Sequence, residues 1–118
     1  LVNFLSKVKE RYPEMYLLQN AGVFIIEDTH RYIDGIAIES VATNYNFTTH
    51  NYRLRNKKEF EEQVQHLKAI EEEYDVPIIL IEYADTHRLR DKVLDRIKPS
   101  GWSYFIGQIK LQKIPVFN

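Results

Sequence analysis

Apolar residues recur along this chain in two alternating styles, stretches at helical spacing and short unbroken runs. Leu1, Phe4, Leu5, Val8 and Tyr12 fall at helical spacing and predict an amphipathic helix that Pro13 ends. Met15–Leu18 is a short apolar run closed by Gln19 and Asn20, a candidate buried strand. After Gly22, Val23–Ile26 leads into acidic residues and suggests a short helix. Ile33–Ile38, interrupted by Asp34-Gly35, reads as a second strand that ends at Glu39. Residues 40–55 are polar and aromatic without a period and read as a long loop, of the kind that is often functional.

The clearest helix follows. Asn56 stands three residues before Glu59, a capping-box variant, and Phe60, Val64, Leu67, Ile70 and Tyr74 repeat at spacings of four and three. Pro77 restarts the chain, and Ile78–Ile81 is the clearest strand, ending at Glu82-Tyr83. Thr86 is placed to cap a helix carrying Leu89, Val93, Leu94 and Ile97, which Pro99, Ser100 and Gly101 stop. Trp102–Ile106 is a last strand, and Gly107–Asn118 has no strong pattern. Alternating helices and continuous apolar strands predict an α/β fold with a parallel sheet and right-handed crossovers. Four such units fit half of a (β/α)8 TIM barrel, and they also fit a small open doubly wound sheet.

Composition narrows the chemistry. The 118 residues suffice for one domain with a core, and 44% of them are hydrophobic. Sixteen basic residues oppose seventeen acidic ones, so the charge gives no reason to expect nucleic acid or a membrane surface as partner. Absence of cysteine excludes disulfides and thiolate metal sites. No apolar run approaches the roughly 20 residues of a membrane helix. His30, His50, His66 and His87 lack metal-ligand spacing, the four glycines form no phosphate loop, and no serine sits in a nucleophile elbow. No cofactor is therefore expected. The chain opens on Leu1 inside a helical pattern, which reads as a fragment of a longer parent.

Polar residues cluster directly after each apolar strand: Gln19-Asn20, then Glu39, then Glu82-Tyr83. In parallel α/β folds the C-terminal strand ends are where functional groups gather. A carboxylate at such a partly desolvated rim, as Glu39 would be, suits a general acid, although from pattern alone a strand-end Glu held by an Arg or a backbone amide is the simpler reading. Gln19 and Asn20 have the donors and acceptors that sugar hydroxyls need, or could tie rim loops together. Tyr45 is the aromatic candidate of the long loop for stacking on a sugar.

At Gln19-Asn20, at Tyr32-Ile33-Asp34-Gly35-Ile36-Ala37-Ile38-Glu39 and at Ile81-Glu82-Tyr83-Ala84, the sequence resembles glycoside hydrolase family 114, the endo-α-1,4-polygalactosaminidase-like proteins. The resemblance runs from about Tyr16 to about Ile114. It implies a (β/α)8 barrel whose fifth to eighth strands are these four, with the N-terminal half of the barrel missing as a partner. It implies cleavage of an α-1,4-linked galactosamine-rich polysaccharide by an exported parent. The family's catalytic carboxylates are an Asp on the fourth strand and a Glu on the sixth; only the Glu maps, onto Glu39, with Gln19, Asn20, Tyr45, Glu82 and Tyr83 as expected substrate contacts. Two features depart from the pattern: Glu82-Tyr83 stands where Asp-Tyr is expected, and no clear eighth helix follows. A non-catalytic carbohydrate-binding or interaction relative using the same rim is the alternative. Both readings require Asn20, Glu39 and Tyr83 to share one mouth, which an unrelated small α/β domain would not provide.

Overall fold

Strand pairing decides between the two architectures left open by the pattern. In the computed structural model, which describes residues 1–110 and 114–117, the elements are α1 (Val2–Arg11), β1 (Leu18–Asn20), a 3-10 turn (Val23–Ile25) running into α2 (Ile26–Thr29), β2 (Gly35–Glu39), β3 (Thr43–Asn46), β4 (Asn51–Leu54), α3 (Lys57–Tyr74), β5 (Ile78–Tyr83), α4 (His87–Ile97) and β6 (Ser103–Gly107). The main sheet has the order β1-β2-β5-β6, and each neighbouring pair is parallel. The α/β class with a parallel sheet is thus as expected.

Residues in register across a parallel ladder point to the same side of the sheet, and side chains alternate along each strand. One face therefore carries Ile36, Ile78, Leu80 and Ile106, all buried against Ile26 of α2, Phe60, Leu67 and Ile70 of α3, and Val93, Leu94 and Ile97 of α4. The opposite face carries Leu18, Gly35, Ala37, Ile79, Ile81 and Phe105. Leu18 is 60% exposed there and Phe105 46%. A doubly wound sheet has helices on both faces; here α2, α3 and α4 all sit on one, which is the arrangement of a barrel wall. Gly35 permits this face to be lined closely, because a Cβ there would stand 3.1 Å from the Leu18 side chain.

The caps behave as the pattern predicts. The Asn56 side chain accepts from the Lys58 and Glu59 amides, and Thr86 Oγ1 accepts from the Leu89 amide. Several boundaries differ: β2 starts only at Gly35, and β5 runs on to Tyr83. The first strand is Leu18–Asn20, not Met15–Leu18, because pairing with β2 rather than apolar content sets the ladder; Met15 and Tyr16 lie exposed. The last strand is shifted by one residue, since Trp102 turns inward and its indole donates to Glu71 at 2.9 Å. Residues 40–55 are not a plain loop: β3 and β4 form an antiparallel hairpin of their own. Its turn is closed by Asn46, whose side-chain oxygen accepts from the Thr48 and Thr49 amides, and by His50 in the left-handed region. Most of the patternless C-terminal stretch lies at the end of the chain, and its residues 111–113 and 118 are outside the described residues.

Helix α1 has no buried residue, and Lys9 ties it to the turn before β2. Lys9 Nζ donates to Asp34 Oδ2 at 2.7 Å, and the Leu17 amide donates to the same oxygen at 2.8 Å. The Lys9 hydrogen bond, then the Leu17 amide, hold the Asp34 carboxyl below its ordinary 3.8. A lowered carboxyl stabilises the fold above the unfolded-state value and loses that contribution as pH falls through the folded value. Asp34→Asn is therefore expected to lower stability at about pH 7, by roughly 1 kcal/mol or less for a partly exposed pair. The difference from the natural protein should shrink as pH falls through the lowered folded-state value, below which both carry a neutral group. Urea midpoints across pH measure it, and a pH-independent difference would contradict the assignment.

The open face and the two edge strands, β1 and β6, which have no outer partner among the described residues, generate a second expectation. The 118-residue chain by itself should associate in a concentration-dependent way in sedimentation velocity. A dilute species that stays monomeric over a hundredfold concentration range (about two decades being ample for a weak equilibrium) would argue against an open barrel wall.

Candidate functional site

Alternation along the strands sorts the rim residues into two sets. Asn20 is in register with Ala37, Glu39 stands two residues beyond Ala37, and Tyr83 stands two residues beyond Ile81, the partner of Glu39. All three side chains therefore lie on the open face, stepped along the C-terminal ends of β1, β2 and β5. Gln19 and Glu82 point to the helix-covered face instead.

Each strand end turns by the same device. The residue after the rim position continues the ladder: Ala21 N–H donates to Ala37 O at 2.8 Å, Ser40 N–H to Ile81 O at 2.9 Å, and Ala84 N–H to Gly107 O at 2.9 Å. Ala21 and Ser40 do so in the left-handed region, with φ of 57° and 60°. That conformation costs a non-glycine residue roughly 1 kcal/mol or more. It sends the chain out of the sheet at once, leaving Asn20 and Glu39 as the last residues of their strands.

On the open face, the Tyr83 hydroxyl donates to Glu39 Oε1 at 2.8 Å. The Tyr83 ring is buried, while Glu39 is exposed. Burial, then the hydrogen bond and charge of Glu39, push the Tyr83 phenol well above its ordinary 10.0. Tyr83 therefore stays protonated and remains a donor, which aims one carboxylate oxygen of Glu39; the other has no hydrogen-bond partner among the described residues. A carboxylate so held, at the open end of a parallel sheet, is equipped to exchange a proton or to stabilise developing positive charge. Asn20, exposed beside it, has an amide able to meet hydroxyl groups.

Two expected contacts are corrected by their surroundings. Glu82 is 0% exposed. Its Oε1 accepts from the Val41 and Ala42 amides at 2.9 and 2.8 Å, and its Oε2 from the Thr43 amide at 2.9 Å and the Thr43 hydroxyl at 2.5 Å. Burial pushes this carboxyl above its ordinary value, and the Thr43, Ala42 and Val41 donors pull it back. With four donors on two oxygens and no exposed surface, Glu82 holds the chain after β2 and is not placed to touch a sugar. Gln19 is likewise engaged: its Nε2 donates to Ala21 O and Gly22 O at 2.8 and 2.9 Å, and its Oε1 accepts from Thr29 Oγ1 at 2.7 Å. Gly22 makes this possible, with φ of +70° and room for the amide where a Cβ would press on it.

Tyr45 lies in the hairpin's own aromatic cluster. Its ring meets Phe47 and Tyr52 edge-on, each at 4.8 Å between centroids, and its hydroxyl pairs with His50 Nδ1 at 3.0 Å. Phe47 at the tip is 74% exposed. Among the described residues, no three histidine or acidic side chains gather as metal ligands. No helix among them is long and apolar enough to cross a membrane.

No protein-family model and no curated protein matches the sequence. Two solved structures match the fold. One is the glycoside hydrolase domain of PelA from Pseudomonas aeruginosa, with a TM-score of 0.75 and 22% identity over 98% of this chain and 46% of that one. A variant of the same domain matches with a TM-score of 0.75 and 21% identity, again over 98% of this chain and 46% of that one. The chain has the fold of part of a glycoside hydrolase domain. It spans about half the length of the domain it matches. The barrel-type α/β architecture is thereby established, and the likeness at this identity concerns the fold alone.

The buried phenol gives a direct check on the Glu39 contact. In tyrosine 13Cζ NMR titrations, the signal that Tyr83→Phe removes should ionise well above 10.0, the ordinary phenol value. Glu39→Gln should bring that signal partway down, because the neighbouring negative charge is gone while burial remains. An ordinary midpoint for Tyr83 would contradict the arrangement.

Proposed function

We propose that this chain is the C-terminal half of a glycoside hydrolase barrel that cleaves α-1,4-linked galactosamine-rich polysaccharide, with Glu39 as the acid/base member of a carboxylate pair. The observation that carries the reading is the Tyr83–Glu39 hydrogen bond at the open end of a parallel sheet, in a fold shared with a glycoside hydrolase domain. The family 114 resemblance of the residues leading to Glu39 narrows the reading to this substrate class. The second carboxylate belongs to the N-terminal half, on the strand that closes the wall beside β1.

The chemistry follows from glycosidase physics. One carboxylic acid protonates the leaving oxygen while the other carboxylate either attacks the sugar carbon or activates water. A separation of about 5–5.5 Å between the two gives retention, and about 6.5–9.5 Å gives inversion. Tyr83 fixes the direction of Glu39, so proton delivery needs no search for the right rotamer. Asn20 meets hydroxyl groups of the sugar on the β1 side of the mouth, and Tyr45 offers an aromatic edge from the hairpin that follows Glu39.

In the full-length protein, Glu39→Gln should keep the fold by circular dichroism and lose roughly 100-fold to 10,000-fold in turnover of α-1,4-linked galactosamine-rich polysaccharide. Turnover within a few-fold of the natural protein (about 1 kcal/mol of barrier or less) would overturn the role of Glu39. A natural protein that binds the polysaccharide without cutting it would favour the binding module over the enzyme.

A further inference from the structure

Strand β2 ends too early to serve β5 along its whole length. Its last register pair is Glu39 with Ile81. Beyond Ile81, β5 continues for two residues, and the Tyr83 amide faces the side that β2 has left. That amide is not idle: it donates to Thr43 Oγ1 at 3.1 Å. The same hydroxyl donates to Glu82 Oε2 at 2.5 Å. A hydroxyl has one proton and two lone pairs, so it can donate to a carboxylate and accept from an amide at once. Thr43 thus stands in for the missing strand, and it is 0% exposed.

The two consecutive side chains at the end of β5 then grip the same neighbour from opposite faces. Glu82 takes the Val41, Ala42 and Thr43 amides below the sheet, and Tyr83 takes the Glu39 carboxylate above it. We propose that Thr43 and Glu82 are positioning residues for the Glu39 carboxylate, acting through the Thr43 hydroxyl that ties the buried Glu82 to the Tyr83 backbone. This assignment rests on the reading of Glu39 as the working carboxylate only where activity is concerned. The geometry, a threonine hydroxyl that fixes the strand end from which the Tyr83 ring reaches Glu39, stands apart from it.

The relay explains why residues 40–43 follow such a tight path. Ser40 turns left-handed, Arg55 Nε donates to its carbonyl at 3.1 Å, and the Arg55 amide donates to Ala42 O at 2.8 Å. The residue after β4 is therefore fastened to Ser40 and Ala42, in the same short segment whose residues 41–43 Glu82 holds. The hairpin cannot shift without moving Thr43, and Thr43 cannot move without freeing the Tyr83 amide.

The test uses Thr43→Val, Thr43→Ser and Glu82→Gln in the full-length protein, each checked for folding by circular dichroism. Thr43→Val keeps the shape and removes the hydroxyl. It should move the Tyr83 phenol midpoint in 13Cζ NMR toward the ordinary value, as the ring loses its fixed seat, whereas Thr43→Ser should leave it where the natural protein has it. Turnover should follow: a fall in kcat of roughly 100-fold for Thr43→Val with KM unchanged, as for a misplaced reacting group, and recovery in Thr43→Ser. A folded Thr43→Val whose Tyr83 titrates as in the natural protein overturns the relay, whatever the activity shows. If Thr43→Val does not fold, Glu82→Gln read by the same titration decides, with an unmoved Tyr83 again overturning it. A moved Tyr83 with full turnover supports the relay and counts instead against Glu39 as the working carboxylate.

Discussion

A buried carboxylate must find hydrogen-bond donors or be neutralised, and the Glu82 carboxylate is met entirely by groups of one short segment. The three consecutive amides of residues 41–43 and the Thr43 hydroxyl converge on it, a nest of the kind that backbone N–H groups form around anions. Each bond from such a donor to a charged acceptor contributes on the order of 1.5–3 kcal/mol, and each becomes a liability if the acceptor is lost, since the amides would stay buried and unpaired. The donors are all neutral, so the segment fixes the carboxylate by geometry, and the carboxylate fixes the segment. Where β2 stops, where the hairpin starts and where Glu39 stands all follow from this one contact.

The strand period of two turns that contact into a site. Because Glu82 is committed to the helix side, Tyr83 must face the open side, and there its hydroxyl meets Glu39. The same alternation puts Gln19 under β1 and Asn20 above it. On both strands the inward residue secures the rim loop and the outward residue is presented. The chain has the fold of part of a glycoside hydrolase domain, and in a closed barrel the face away from the helices is the interior; it is on that face that Leu18 and Phe105 lie exposed here.

Much of the fold was legible because helices and buried strands carry their period in the sequence. α3 and α4 were readable from their spacing and their Asn56 and Thr86 caps, and β5 from its unbroken apolar run between Pro77 and Glu82. The apolar pattern points too early, to Met15, for β1 because a strand of three residues is defined by its partner, not by its own composition. The hairpin is hidden because its turn uses Asn46 and a left-handed His50 in place of an Asn-Gly pair, and because its two strands of four residues mix polar and aromatic side chains without an apolar run. Among the rim residues, position after a strand identified the right neighbourhood but not the facing. One residue of register separates Gln19 from Asn20 and Glu82 from Tyr83, and only pairing with β2 and β6 settles it. Thr43 carried no signal at all, since a hydroxyl that replaces a strand partner looks like any threonine in a polar stretch.

Amide hydrogen exchange at Val41, Ala42 and Thr43 tests the central contact most directly. If the Glu82 carboxylate organises the segment after β2, these three amides exchange as slowly as those of β5 in the natural protein. In Glu82→Gln they become fast while β5 itself stays protected. Equal protection of the three amides with and without the carboxylate would contradict the account, because the segment would then be held by something else.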